Sequence, residues 1–319
     1  MNSDLYLDGK RLKLAKRIGK GGEGEVYLLS GEPQKAVKIY TAKDDDGREA
    51  KVRAMVRVGL AQTSSLVSFP EDIVTLKSGR FAGFLMRLVE GYRPIHELYG
   101  VKSRKLHYPN VDYRFLVRAA ANTARAVGQV HASPCVIGDL NHSGILVSNA
   151  ATIALIDADS FQFRADGKTY PCLVGVPDFT PPELQGASLY GIVRTKLHDH
   201  FGLAVAIFQL LFMGRHPYAG RQSGGDLTLD QLIARNLFAY SRIRLNGVAP
   251  PLGVATLDDV PMEVAEAFER AFGLDPARRP TAEEWIHLLH ELEGRLSRCA
   301  SNSTHFYPTV AKTDRKSVV

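Results

Sequence analysis

The stretch IGKGGEGEVYLL (residues 18–29) runs on shortly into AVKIY (36–40). Gly19, Gly21 and Gly24 form a G-x-G-x-x-G pattern, with Val26 two positions later. Glycines so spaced let the backbone come close to a phosphate chain and aim N–H groups at it. Alone the pattern is weak, because it also opens dinucleotide-binding folds and arises in ordinary glycine-rich turns. The residues after the glycines separate these readings. A dinucleotide fingerprint runs straight into a helix, whereas VYLL and AVKIY have the apolar, β-branched texture of two strands. The segment therefore predicts a hairpin lid. Within AVKIY, Lys38 is either a solvated outer residue or a cation on the inner face awaiting an anion.

Composition narrows the class. The chain has 319 residues, 45% of them hydrophobic and 23% charged, an ordinary globular balance that can bury a real core. Its net charge of +6 is mild and comes without a Lys/Arg run, so nothing marks a nucleic-acid arm. Cys135, Cys172 and Cys299 are odd in number and far apart, which argues against a disulfide framework and for a reducing compartment. The first residues carry no apolar run of signal-peptide length, and the longest apolar stretch, near Phe201 to Met213, is too short for a bilayer. A cytoplasmic protein without membrane association is expected.

The texture changes along the chain. From Leu5 to Met86 short apolar runs are broken by Gly, Pro and charge, with one charged helical interval around Arg48 to Val58. After Gly91, Leu116, Ala119, Ala120, Thr123, Val127 and Val130 recur at helical spacing, predicting an amphipathic helix over 111–131. FGLAVAIFQLLFM is apolar all round, as in a helix at the centre of a domain, and PMEVAEAFERAF and TAEEWIHLLHELEGRL read as later helices. The last stretch is polar and aperiodic, which predicts a flexible tail.

Two further segments carry chemistry. In VIGDLNHSGILV (136–147) the loop carboxylate Asp139 is placed to accept a hydrogen bond from an attacking hydroxyl. In ALIDADSFQ (154–162) Asp157 ends an apolar strand, where it can hold a divalent metal bridging phosphates. Either aspartate alone reads more readily as a turn residue or a helix cap. Their joint order after the glycine turn and Lys38 makes the phosphate reading the stronger one.

These motifs, with TPPELQG, HDHFGLAVAIFQLL and DPARRPT, resemble the eukaryotic-like protein kinases over about residues 12–295. More narrowly, VIGDLNHSGILV, LIDADSFQ, VGVPDFTPPELQG and LLFMGRHPYAG look like a tellurite-resistance-associated group of bacterial kinases, encoded beside a von Willebrand factor A-type protein and a PPM-type phosphatase. The resemblance implies an α+β, bilobal fold: a small β-rich N-lobe (1–87), a hinge (88–91), a larger α-helical C-lobe (92–297) and the tail (298–319). It implies a Ser/Thr protein kinase using ATP with Mg²⁺ or Mn²⁺, acting on a protein substrate, with those two neighbouring gene products as candidate partners. A nucleotide-binding pseudokinase is the alternative.

Carried over position by position, the resemblance places Gly19, Gly21, Gly22, Gly24, Val26 and Ala36 around the nucleotide. Lys38 would lie on the α and β phosphates, with Glu49 on the following helix orienting it. Met86 would guard the back of the adenine pocket, and the backbone of Arg87, Leu88 and Val89 would meet adenine. Asp139 would orient the acceptor and Asp157 would bind the metal. Glu183 would pair with Arg279, Asp199 would anchor the catalytic loop, and Thr180 would touch Asp139. The departures are equally specific. Ile137-Gly138-Asp139 replaces His-Arg-Asp, Asn141 replaces the loop lysine, and Gly144 stands where a metal-binding asparagine is usual. Asp157-Ala158-Asp159 replaces Asp-Phe-Gly, so Asn141 or Asp159 is expected to supply the lost metal ligand. Cys299 and His305 lack the further ligands a zinc site needs.

Overall fold

The computed structural model describes residues 4–41, 47–301 and 305–311. Its N-terminal part is a seven-stranded antiparallel sheet in the order β2-β1-β6-β7-β5-β4-β3. The strands are β1 (Leu5–Leu7), β2 (Lys10–Arg11), β3 (Leu14–Lys20), β4 (Gly24–Leu29), β5 (Glu32–Tyr40), β6 (Pro70–Leu76) and β7 (Phe81–Arg87). Helix α1 (Arg48–Arg57) packs against β6 and β7. Strand alternation decides which β5 side chains face the aspartate loops. Val37 points outward into a small core with Leu5, Leu29, Val74 and Leu85, so its neighbours Ala36 and Lys38 point the other way. Ala36 stands opposite Met86, and Lys38 stands between Val26 on β4 and Phe84 on β7.

The chain then becomes helical. β8 (Tyr92–Pro94) leads into α2 (Ile95–Tyr99), α3 (Val101–His107) and α4 (Tyr113–Ala132). The α4 start is fixed by Asp112, whose carboxylate accepts from the N–H groups of Arg114 and Phe115. Short strands β9 (Cys135–Val136), β10 (Ile145–Ser148), β11 (Ile153–Leu155), β12 (Gln162–Ala165) and β13 (Lys168–Tyr170) carry the two aspartate loops. Then come α5 (Lys196–Leu211), α6 (Leu229–Ala234), α7 (Met262–Ala271) and α8 (Ala282–Gly294). Helix α5 is buried from Asp199 to Leu211 and packs on α2, α4 and α7, as its all-apolar sequence predicts. Each large apolar side chain fully buried there contributes about 1.5–3 kcal/mol. With Phe208, Phe268, Phe272 and Trp285 all buried, this region is the firm platform of the molecule.

The architecture is thus α+β, with a sheet-rich N-terminal region and a helical C-terminal region, as expected. The expected flexible tail needs one correction. Phe306–Pro308 form a strand paired with Leu296–Arg298, and the Arg114 guanidinium lies 3.7 Å over the Phe306 ring. Pairing and ring cover thus give structure to a segment whose sequence has no periodicity. The tail beyond Ala311 lies outside the described residues.

Candidate active site

The glycine turn sits between β3 and β4, where the Gly21 N–H donates to the Gly24 carbonyl at 2.9 Å. Gly24 is required by close approach: a Cβ there would lie 2.4 Å from the Ile39 carbonyl oxygen. Gly21 and Gly22 are exposed and free of such contacts, leaving the tip of the turn open to a ligand. Gly19 and Val26 face each other across the hairpin, beside Lys38.

At the end of β7, two backbone groups of the expected hinge are already engaged. The Leu88 N–H donates to the Gln34 carbonyl at 2.8 Å, and the Arg87 carbonyl accepts from Ser68 Oγ at 2.7 Å. Val89 makes no backbone hydrogen bond among the described residues. An adenine edge presenting one donor and one acceptor would satisfy it.

Lys38 is buried, and its ammonium meets Asp159 Oδ1 at 2.9 Å, Asp159 Oδ2 at 2.8 Å and Asp157 Oδ1 at 3.4 Å. Burial works against the lysine's charge, but Asp159 and then Asp157 outweigh it and raise the Lys38 pKa. The same pairing holds the buried Asp159 carboxyl below its ordinary range, against its own desolvation. Tyr40, two residues along the same face of β5, donates its hydroxyl to Asp159 Oδ2 at 2.6 Å. This corrects two expectations. Glu49 is not the partner of Lys38: on the outer side of α1 it pairs with Arg53 at 2.8 Å, one turn along the helix. Nor does Asp159 face outward as a spare metal ligand, because both of its oxygens are engaged by Lys38 and Tyr40.

The helix position that does reach inward is Lys51. It is buried, and its ammonium donates to the carbonyls of Ser160 at 2.7 Å and Pro171 at 2.8 Å. Burial depresses it to about 8.

Asp157 stands apart from these buried charges. Its side chain is 60% exposed and its backbone is left-handed, with φ 57°. A non-glycine residue held there is strained, and such strain concentrates at functional sites. A short helical turn, Ala158–Ser160, follows at once and swings Asp159 inward while leaving Asp157 facing out.

Asp139 lies in the loop between β9 and β10, where one carboxylate oxygen accepts the Val176 N–H at 3.0 Å. Burial raises its pKa, with neighbouring hydrogen bonds opposing. Asn141 is turned to the loop itself. Its Oδ1 accepts from the N–H groups of Ser143 and Gly144, and its Nδ2 donates to the Asp139 carbonyl. The expectation that Asn141 replaces the lost metal ligand is therefore not met by this geometry. Thr180 also differs from expectation, donating to the Val176 carbonyl at 2.8 Å rather than to Asp139.

Beneath the loop, Asp199 accepts from the N–H groups of Ile137 at 2.7 Å and Gly138 at 2.8 Å and meets His131 at 2.8 Å. It anchors the loop as expected, while the cap of α5 is Thr195. Arg279 reaches Glu183 through two hydrogen bonds, at 2.6 and 2.8 Å, and the guanidinium holds that carboxylate low despite its burial. Gly138 has φ 74°, and a Cβ there would fall 2.7 Å from that of Cys172 and 3.3 Å from Arg194 Cγ. The arginine usual at this position thus has no room. The buried Arg194, which no motif flags, packs beside it and donates to the Val174 carbonyl at 3.1 Å.

Among the described residues no cluster of three or more His, Cys, Asp or Glu side chains could hold a metal. A cation would instead be shared between Asp157, a hard oxygen donor, and phosphate oxygens. The lysine, the exposed aspartate and the open glycine turn fit that use. No helix among the described residues is long and apolar enough to cross a membrane.

Comparison with known proteins agrees with this geometry. The chain is 37% identical over 310 residues to the protein kinase YegI of Escherichia coli, covering 94% of this chain and 47% of that protein. It is 28% identical over 287 residues to the serine/threonine-protein kinase PknK of Mycobacterium bovis, covering 88% and 23%. It is 21% identical over 310 residues to the serine/threonine-protein kinase PknD of Chlamydia muridarum, covering 85% and 30%. The chain spans about half the length of YegI. Residues 12–289 match the protein kinase domain, and the chain belongs to the protein kinase domain family.

Proposed function

We propose that this chain transfers the γ-phosphate of ATP to a Ser or Thr hydroxyl of a partner protein. The observation that carries the reading is the exposed Asp157 carboxylate 3.4 Å from the buried Lys38 ammonium, one group for a metal and one for the phosphates. Residues 1–87 act as the lid, 88–91 as the hinge holding adenine through Val89, and 92–297 as the platform for the protein substrate. Family membership implies ATP and a divalent metal, here Mg²⁺ or Mn²⁺, which neutralises charge on the transferring phosphoryl group. Asp139 receives the hydroxyl proton as the acceptor oxygen bonds to phosphorus and the β–γ bridging bond breaks, leaving ADP. Its raised pKa makes it a better base than a solvated aspartate. Lys38 fixes the phosphates, and the glycine turn excludes water. Catalysis rests on positioning and charge neutralisation.

The motifs shared with the tellurite-resistance-associated kinases support a bacterial phospho-signalling module, with a von Willebrand factor A-type protein and a PPM-type phosphatase as partners. A pseudokinase is the second reading, favoured by Gly144 and by an Asn141 oxygen engaged within its own loop. Incubation with labelled ATP, with and without Mg²⁺ or Mn²⁺, decides between them. Metal-dependent transfer to the chain itself or to a partner protein, abolished in Lys38→Met and Asp157→Ala, is expected. Thermal stabilisation by ATP with no transfer to any acceptor would establish the pseudokinase.

A further inference from the structure

The kinase family resemblance assigns the orientation of Lys38 to a glutamate on α1, and it leaves position 159 to a glycine. The structure reverses both. Lys38 and Tyr40 lie two residues apart on one face of β5 and close on Asp159 from the same side, at 2.8 and 2.6 Å. Asp159 is 5% exposed and Lys38 is 7% exposed, so each charge depends on the other for compensation. The first turn of α1 adds to this arrangement from outside, since the Arg48 guanidinium stacks 4.6 Å over the Tyr40 ring. Glu49 remains with Arg53 on the surface.

Resting on the protein-kinase reading above, we propose that Asp159, supported by Tyr40, is the positioning residue for Lys38 and performs the task expected of Glu49. The lysine is then held by the turn that carries Asp157, two residues away, so the phosphate-binding cation and the metal-binding carboxylate move as one unit. Its placement does not depend on a carboxylate of α1. An ammonium has three donors. Two are taken by Asp159, and the third, reaching Asp157 only at 3.4 Å, is the one a phosphate oxygen can claim. Asp159 consequently acts through Lys38 and not through the metal.

A double-mutant cycle tests this with Lys38→Met, Asp159→Asn and their combination, beside Tyr40→Phe and Glu49→Gln. Two readouts are taken: the melting temperature without nucleotide, and the affinity for a fluorescent ATP analogue in EDTA and in Mg²⁺. In EDTA, Asp159→Asn is expected to weaken ATP binding about tenfold or more, as losing a charged hydrogen-bond partner does. It should add nothing once Lys38 is methionine. Tyr40→Phe should cost about three- to tenfold, and Glu49→Gln less than about twofold. The Mg²⁺ concentration giving half-maximal effect should not change in Asp159→Asn.

Additive losses, or a Glu49→Gln defect as large as that of Asp159→Asn, would overturn the proposal. So would intact binding in EDTA with a raised Mg²⁺ requirement, which makes Asp159 a metal ligand. If Asp159→Asn does not fold, Tyr40→Phe carries the test, and its failure to weaken binding in EDTA would overturn the proposal. If the wild type binds no ATP, the kinase reading falls. The melting cycle, which needs no nucleotide, then decides alone: Lys38→Met should leave Asp159 uncompensated, and adding Asp159→Asn should recover part of the lost melting temperature.

Discussion

On the strand side of the cleft Lys38, Asp159 and Tyr40 satisfy one another inside the protein, whereas on the loop side Asp157 is exposed and Gly144 offers no side chain at all. The difference lies in where compensation comes from. The strand side is finished by the fold, since burying an uncompensated lysine or aspartate would shift its pKa or break the structure. On the proposed reading the loop side is completed by what it binds, a cation offsetting the negative charge of Asp157, Asp139 and the phosphates. Substitutions on the first side should therefore register in stability and metal-free binding. Those on the second should register in transfer and metal dependence.

The sharpest break of that comparison lies at Asp139. Asp139→Asn is expected to lower transfer about 10²- to 10⁴-fold, the range for loss of a general base, while ATP-dependent thermal stabilisation persists. Because burial raises the Asp139 pKa, wild-type transfer should fall with acidification at a higher pH than an ordinary aspartate, about 3.9, would give. Rates with labelled ATP across pH check both points. Lost ATP stabilisation in Asp139→Asn would show that the loop side also belongs to the prefolded part.

Next in size is Lys51, which belongs to the strand side by origin but reaches the loops. The unfolded chain keeps this proton up to about 10.4, while the folded one releases it near 8. Between those values the unfolded state binds more protons, so the Lys51 contribution to stability rises with pH. The stability difference, wild type minus Lys51→Met, should grow by up to about 3 kcal/mol across that window. Denaturant unfolding at a series of pH values measures it. A flat difference would mean that Lys51 is solvated, and that α1 is not tied to the Ser160 and Pro171 carbonyls.

Legibility in the sequence divides along the same line. Helices α4 and α5 are legible because long periodic or wholly apolar segments admit few alternatives. The approach of Lys38 to Asp157 is legible because the proposed phosphate chemistry imposes an order and spacing on them. Asp159 reads as a spare metal ligand because its partner lies 121 residues away, and only the register of β5 decides which face Lys38 and Tyr40 share. The period of the strand is the signal that could flag Tyr40, two positions after Lys38. Glu49 misleads because a glutamate at a helix start is satisfied as easily by an arginine one turn on as by a distant lysine. Arg194 and Lys51 carry no local signal, since their partners are backbone carbonyls supplied by folding. Helices α2 and α3, at 5 and 7 residues, are too short to show a period.

The smallest of these effects, a gain, probes the loop side directly. Gly144 has no positive φ, and a Cβ on it would meet the Asn141 and Ile156 carbonyl oxygens only at 3.8 Å, an ordinary contact. Backbone conformation and space therefore do not demand glycine here, unlike at Gly138. Gly144→Asn should restore an oxygen donor beside Asp157 and lower the Mg²⁺ concentration for half-maximal transfer about tenfold, equivalent to about 1.4 kcal/mol. Metal titrations of transfer at fixed ATP measure the shift, and ATP affinity in EDTA should stay unchanged, because Lys38 and Asp159 are untouched. An unchanged metal titration would mean that the cation sits on the Asp157 side alone, with the phosphates supplying the rest of its shell, so that this site works without a loop ligand.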